Sequence, residues 1–250
     1  MGNAAPGLYI VTGSSRGLGA ALVAQLLHQG HTVLGIARRP HDTLPTGPAL
    51  TQWALDLADA GPAATRLGEW LATLDGARFS SANLVNNAGV LSRIGPIDDT
   101  SSEDLATALR VGLEAPMLLT AAFLRATLGW PGVRRVLNIS SGLGRRAMAG
   151  SASYCAAKAG LDHFTRCTAL DEAERPNGAR VVSLAPGVID TDMQVSLRGS
   201  DPEGFPERDS FVRLKSDGKL VSPGDTATRV LAFLHRANFG DQTIADIRTD

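Results

Sequence analysis

The chain is 250 residues long and has only two cysteines, two tyrosines and three lysines (Lys158, Lys215, Lys219). Cys155 and Cys167 read as members of one helix. At ~1.5 Å of rise per residue they would lie ~18 Å apart, too far for a disulfide, so a cystine scaffold is excluded and cytoplasmic residence is the simple expectation. The five histidines are scattered without metal-ligand spacing. His163 reads as a helix-face residue, and no metal is expected. A net charge of −1 offers nucleic acid no general attraction. No apolar stretch approaches the ~20 residues that span a bilayer, and the N-terminus lacks the basic segment and apolar core of a secretory leader. Neither a membrane nor a nucleic acid is therefore expected as partner.

Strand and helix patterns alternate along the chain. Strands are expected at Leu8–Thr12, Thr32–Ala37, Thr51–Leu55, Asn83–Asn86, Arg135–Ile139, Arg180–Leu184 and Thr243–Ile247. Helical patterns fill most gaps, one running from about Gly17 to Gln29. Thr100-Ser101-Ser102-Glu103 has the form of a helix-starting capping box. Alternation of this kind implies right-handed crossovers and a parallel sheet covered by helices on both faces. The expectation is one α/β domain over residues 1–250, a doubly wound Rossmann-type sheet of about seven strands. Its ligand should sit at the carboxyl ends of the strands, near the point where strand order reverses. The one irregular stretch is Arg198 to Asp209.

Val11-Thr12-Gly13-Ser14-Ser15-Arg16-Gly17-Leu18-Gly19 joins the first strand to the first helix. Gly13 permits a tight turn, Gly17 lets backbone approach a pyrophosphate, and Gly19 allows close helix–sheet packing. The helix N-terminus supplies free N–H groups for phosphates. The spacing is G-x-x-x-G-x-G, and such a turn also occurs without any ligand.

Asn138-Ile139-Ser140-Ser141 is followed, thirteen residues past Ser141, by Tyr154-Cys155-Ala156-Ala157-Lys158. On a helix, residues four apart share a face, so an ammonium would lie beside a phenol. A free phenol, with a pKa of about 10, is a poor proton shuttle at pH 7, and a nearby positive charge lowers that value. Tyr154 would be the acid/base catalyst, Lys158 its tuner, and Ser141 the hydroxyl that holds the substrate oxygen. Taken alone, the Tyr–Lys pair also fits an ordinary amphipathic helix.

Together with Asn86-Asn87-Ala88-Gly89 and Pro186-Gly187-Val188-Ile189-Asp190-Thr191, these motifs occur in an order and spacing that resemble the short-chain dehydrogenase/reductase family over essentially the whole chain. The resemblance implies an oxidoreductase in which Ser141, Tyr154 and Lys158 are catalytic. It implies a dinucleotide held by Gly13 to Gly19, Asn86 to Gly89, Val111, Tyr154, Lys158, Pro186, Gly187, Val188 and Thr191. Asp56 and Leu57 would meet the adenine. The family's members are commonly homodimers or homotetramers, and residues 192–220 match its substrate-covering segment.

Cofactor choice follows from charge. The residue ending the second strand faces the adenosine ribose, where a carboxylate selects NAD. Here it is Ala37, followed by Arg38 and Arg39, with Arg16 in the glycine loop. Guanidiniums suit a 2′-phosphate, so NADPH is expected. The stretches Val90 to Asp98 and Phe211 to Pro223 look like the sepiapterin reductase and benzil reductase branch, whose members reduce carbonyls next to another carbonyl. A carbonyl small molecule is the expected substrate, lined by Leu91, Leu143, Met148, Val188 and Met193, with Phe205 or Phe211 from the covering segment. One departure is Gly112, where the family usually has an Asn that helps hold a water chain to the lysine. It leaves open a dinucleotide-binding sensor without catalysis, beside an NAD-dependent alcohol dehydrogenase. An Asn restored at position 112 is expected to leave turnover unchanged or raise it.

Overall fold

Short apolar runs become strands where alternate residues can be buried on opposite faces of one sheet. In the computed structural model, which describes residues 5–45 and 47–249, seven strands do this. They are β1 (Gly7–Thr12), β2 (Thr32–Ala37), β3 (Leu50–Ala54), β4 (Ser81–Asn86), β5 (Val133–Ile139), β6 (Arg180–Ala185) and β7 (Ile244–Asp246). All pairings are parallel, in the order β3-β2-β1-β4-β5-β6-β7. The order reverses between β1 and β4, and this opens a crevice beyond their carboxyl ends. The fold is the expected doubly wound, Rossmann-like single domain. Boundaries differ slightly: β3 begins and ends one residue early, although Leu55 N–H still donates to Ala37 O at 2.9 Å.

The helices are α1 (Gly17–His28), α2 (Ala60–Ala72), α3 (Ser102–Leu109), α4 (Ala115–Ala126), α5 (Ala152–Ala173), α6 (Asp192–Arg198), α7 (Arg208–Ser216) and α8 (Pro223–Leu234). Strand alternation sends Tyr9, Val11, Val85 and Leu137 to a core with α1 and α8. It sends Leu8, Ile10, Leu84 and Val136 to a second core with α2 and α4. Burying each such aliphatic side chain contributes ~1.5–3 kcal/mol.

Two expectations need correction. Ser101, not Thr100, caps α3, its hydroxyl accepting from Asp104 N–H at 3.2 Å. Thr100 closes the preceding 3₁₀ turn instead, its N–H donating to Ile97 O. The apolar run is also longer than expected, because a π-helical turn at Arg110–Glu114 splices α3 to α4. The resulting 25-residue helix, Ser102–Ala126, is long and apolar enough by length and composition to cross a membrane, but half of its apolar window is buried against the rest of the fold. The stretch read as irregular, Arg198 to Asp209, coincides with the link between α6 and α7. Cys155 and Cys167 are both free and both on α5.

The end of α5 is fastened by charge. Arg134 Nη2 donates to Glu172 Oε2 at 2.9 Å, with both side chains almost wholly buried. Glu172 Oε2 also accepts from Ala179 N–H at 2.8 Å. Removing one partner of such a pair strands the other charge in low dielectric, at a cost of about 3–5 kcal/mol. Glu172→Ala is expected to lose about that much unfolding free energy in urea titrations, and Glu172→Gln less. A change below ~0.5 kcal/mol for the alanine variant would show that the pair does not hold the helix.

Candidate active site

The glycine loop is shaped by close approach. Gly13 has φ +66°, and a Cβ there would lie 2.9 Å from Ala88 Cα; one on Gly19 would lie 2.1 Å from Gly13 O. The turn thus admits no side chain at either position, and α1 starts directly beneath it with its N-terminus toward the crevice. Thr12, a residue not singled out in the sequence, ties the loop to the next strand. Its Oγ1 accepts from Asn87 N–H at 2.9 Å and Ala88 N–H at 3.0 Å, while Asn87 Nδ2 donates to Thr12 O at 2.9 Å.

Several residues expected to touch a cofactor have their side chains inside the protein. Asn86 is buried and donates to Asn138 Oδ1 at 2.8 Å and Thr120 Oγ1 at 3.1 Å; Asn138 in turn donates to Thr165 Oγ1 at 2.8 Å. These bonds turn the Asn86 side-chain amino group toward β5 and α4. Ser14, Leu18, Leu57 and Val111 are likewise buried. Ser15, Asn87, Ala88, Gly89, Pro186, Gly187, Val188 and Thr191 keep partial exposure around it.

Ser141, Tyr154 and Lys158 come together at the carboxyl end of β5. Ser141 Oγ accepts from Leu143 N–H at 3.1 Å, which fixes the hydroxyl at the start of a 3₁₀ turn. Lys158 Nζ is buried, donates to Ile139 O at 2.8 Å, and lies 5.7 Å from the Tyr154 ring centroid. Burial pulls the ammonium down to about 8, opposed by the charge of Asp162 one turn further along α5. Asp162 accepts from Ser183 Oγ at 2.6 Å and Arg145 Nε at 3.2 Å. Its i+4 spacing from Lys158 was readable in the sequence and was missed.

The phenol runs against expectation. Burial pushes Tyr154 up to about 12, against a lowering hydrogen bond with Ser141. Desolvation is the larger effect, and the ammonium hydrogen-bonds to a backbone carbonyl. At neutral pH the phenol keeps its proton and can donate it.

At the ribose end, Ala37 closes β2, and Arg38 and Arg39 follow it, exposed to solvent. Asp56 is exposed, its Oδ1 accepting from Ala58 N–H at 3.0 Å. Arg16 points elsewhere: its Nη1 donates to Asp192 at the start of α6, at 2.9 Å. The apolar residues form one cluster in two layers. Met148 and Phe205, expected to line a pocket, are buried with Leu197. Leu91, Leu143, Met193 and Phe211 lie partly exposed over them.

The chain belongs to the short-chain dehydrogenase family: the family model "short chain dehydrogenase" matches residues 8–201. It is thereby an oxidoreductase acting on carbonyl or alcohol groups, in a family that binds nicotinamide dinucleotides. It is 37% identical over 235 residues to a benzil reductase ((S)-benzoin forming) of Bacillus cereus, covering 92% of this chain and 94% of the relative. It is 31% identical over 248 residues to a sepiapterin reductase of Rattus norvegicus, covering 92% of each. Among solved structures, a short-chain dehydrogenase/reductase from Burkholderia vietnamiensis superimposes with a TM-score of 0.65 at 34% identity, covering 97% of this chain and 99% of that one.

Gly112 sits buried in the π-turn, where a Cβ would meet Ala157 Cβ at 3.0 Å. Ala157 directly precedes Lys158, so added bulk presses on the helix that carries the lysine. This sets a packing cost beside the expectation that asparagine here leaves turnover unchanged or raises it. Gly112→Asn is expected to lower stability by ~1–3 kcal/mol through overpacking, and Ala157→Gly in the same chain should restore part of it. Thermal melts of the two variants check this; an unchanged Gly112→Asn melt would show that α5 yields without strain.

Proposed function

We propose that this chain is an NADPH-dependent carbonyl reductase that reduces a ketone or 1,2-dicarbonyl, with Tyr154 as proton donor. The observation that carries the reading is the meeting of Ser141, Tyr154 and the buried Lys158 at the carboxyl end of β5, beside an apolar wall. The crevice residues fit a dinucleotide, because the glycine turn is bare of side chains above a helix N-terminus. Gly13 to Gly19, Asn87 to Gly89 and Pro186 to Thr191 would hold it, with Asp56 at the adenine and Lys158 at the nicotinamide ribose. When bound there, the cofactor would be the source of the hydride.

The protein does the rest. Ser141 Oγ donates to the substrate oxygen and orients it. As negative charge develops there, Tyr154 Oη gives up its proton, and the nearby Lys158 ammonium stabilises the phenolate left behind. A protonated phenol suits this direction better than alcohol oxidation, which needs a base. The relatives named for benzil and sepiapterin reduction point to a carbonyl flanked by another electron-withdrawing carbonyl. Residues 192–220 act as the substrate cover. The same family likeness supports a homodimer or homotetramer working in the cytoplasm.

Preference for NADPH rests on the missing acid at Ala37 and on Arg38 and Arg39, with Arg16 available once it leaves Asp192. Ala37→Asp is expected to weaken NADPH binding about tenfold or more by repelling the 2′-phosphate, with little loss for NADH. Titrating both cofactors checks this, and equal wild-type affinity for NADH would remove the argument. Tyr154→Phe is expected to keep cofactor affinity and lose turnover by at least ~10²-fold, since the ring stays and the donor goes. Stopped-flow reduction of a 1,2-diketone is the measurement. Wild-type rates in the phenylalanine variant would assign the proton to another group.

A further inference from the structure

We infer that Phe211 is the specificity-determining platform for a flat aryl group next to the reacting carbonyl, and that Phe205 positions it from behind. The inference rests on the carbonyl-reductase reading above. Phe205 lies in the link between α6 and α7 and is fully buried. Three chain segments close around it without side chains between them. Gly150, at φ +72°, would place a Cβ 3.2 Å from Phe205 Cδ2 and 2.8 Å from Gly204 O. Gly95 N–H donates to Gly150 O at 3.0 Å. A Cβ on Gly204 would lie 3.4 Å from Pro96 Cδ. The segment after β4, the segment before α5 and the α6–α7 link thus meet at one ring. Met148 and Leu197 complete this inner layer.

Phe211 stacks on that ring with centroids 5.6 Å apart and planes 27° from parallel. It is partly exposed, on α7, in the same outer layer as Leu91, Leu143, Cys155 and Met193. That layer borders the reacting groups, since Leu143 N–H bonds to Ser141 Oγ and Cys155 follows Tyr154. The segment carrying Phe211 is also clamped at its base. Ile189 bridges Val221, Asp190 N–H donates to Val221 O at 2.9 Å, and Lys215 Nζ pairs with Asp190 at 2.5 Å. A ring backed by a buried ring, on a segment tied at both ends, keeps one face set for stacking. Leu and Met around it add apolar contact without hydrogen-bond donors, and the Cys155 thiol is only a weak one, which favours an aryl ketone over a sugar or a charged acid.

The test uses the full chain with NADPH and two 1,2-diketones, benzil (diaryl) and 2,3-butanedione (dialkyl). In Phe211→Ala, the ratio of kcat/KM for benzil to that for butanedione is expected to fall about tenfold, mostly through KM. Phe211→Tyr should keep the wild-type ratio. Phe211→Leu retains apolar bulk without a ring and should fall nearly as far as alanine. A ratio unchanged in both Phe211→Ala and Phe211→Leu overturns the platform. Calorimetric binding of benzil to the enzyme with oxidised cofactor separates this from failure of the reductase reading. If the wild type reduces neither diketone but binds benzil, and Phe211→Ala abolishes that binding, the platform stands and the reductase reading falls. If benzil binding is absent in the wild type, or unaffected in Phe211→Ala, the platform is wrong.

Discussion

The arrangement depends on keeping one ammonium out of water. Lys158 is buried at the carboxyl end of β5, and a bare charge there would cost several kcal/mol. The protein offsets this through the Ile139 carbonyl and through Asp162, one turn along the same helix. Asp162 is itself held by Ser183 on β6 and by Arg145. The compensation ties α5 to two strands at once. It therefore sets the height of Tyr154 above the sheet and its distance from Ser141. A shift of α5 by one residue would break the lysine's bond and the carboxylate's together.

The opposite side of the crevice is built by exclusion of side chains rather than by charge. Gly19 must be bare because Gly13 O occupies the place of its Cβ, and Thr12 and Asn87 lock the turn to β4. Further out, Arg16 reaches Asp192 across the mouth of the crevice, from the glycine loop to the first turn of α6. Both side chains are well exposed, so the pair is worth ~0–1 kcal/mol and can exchange for a stronger anion. The floor of the site is thus closely packed, while this polar strap is weak.

Much of this was legible before any coordinates. Alternating strand and helix patterns placed all seven strands to within a few residues, because burial on both faces of a parallel sheet demands continuous apolar runs. Ser141, Tyr154 and Lys158 were readable because helical spacing puts Tyr154 and Lys158 on one face, and Gly13 and Gly19 because their roles leave no alternative residue. Other readings failed for identifiable reasons. Asn86 looked like a crevice residue by its motif, yet strand parity turns its amide inward to Asn138 and Thr120. Met148 and Phe205 looked like pocket lining by their chemistry, but an apolar residue reads the same whether it faces a ligand or a neighbour.

The sequence by itself determined where the strands fall, the bare glycine turn and the pairing of Tyr154 with Lys158 on one helix face, because these follow from local spacing and from residue types. Only the tertiary structure decided the burial of Tyr154 and the direction of Arg16. It also decided that Gly112 faces Ala157 and that Phe205 backs Phe211. Each of these depends on which distant segment lies within a few ångströms, and on how much water that contact excludes. Desolvation and close packing are properties of the assembled neighbourhood, and no local pattern encodes them.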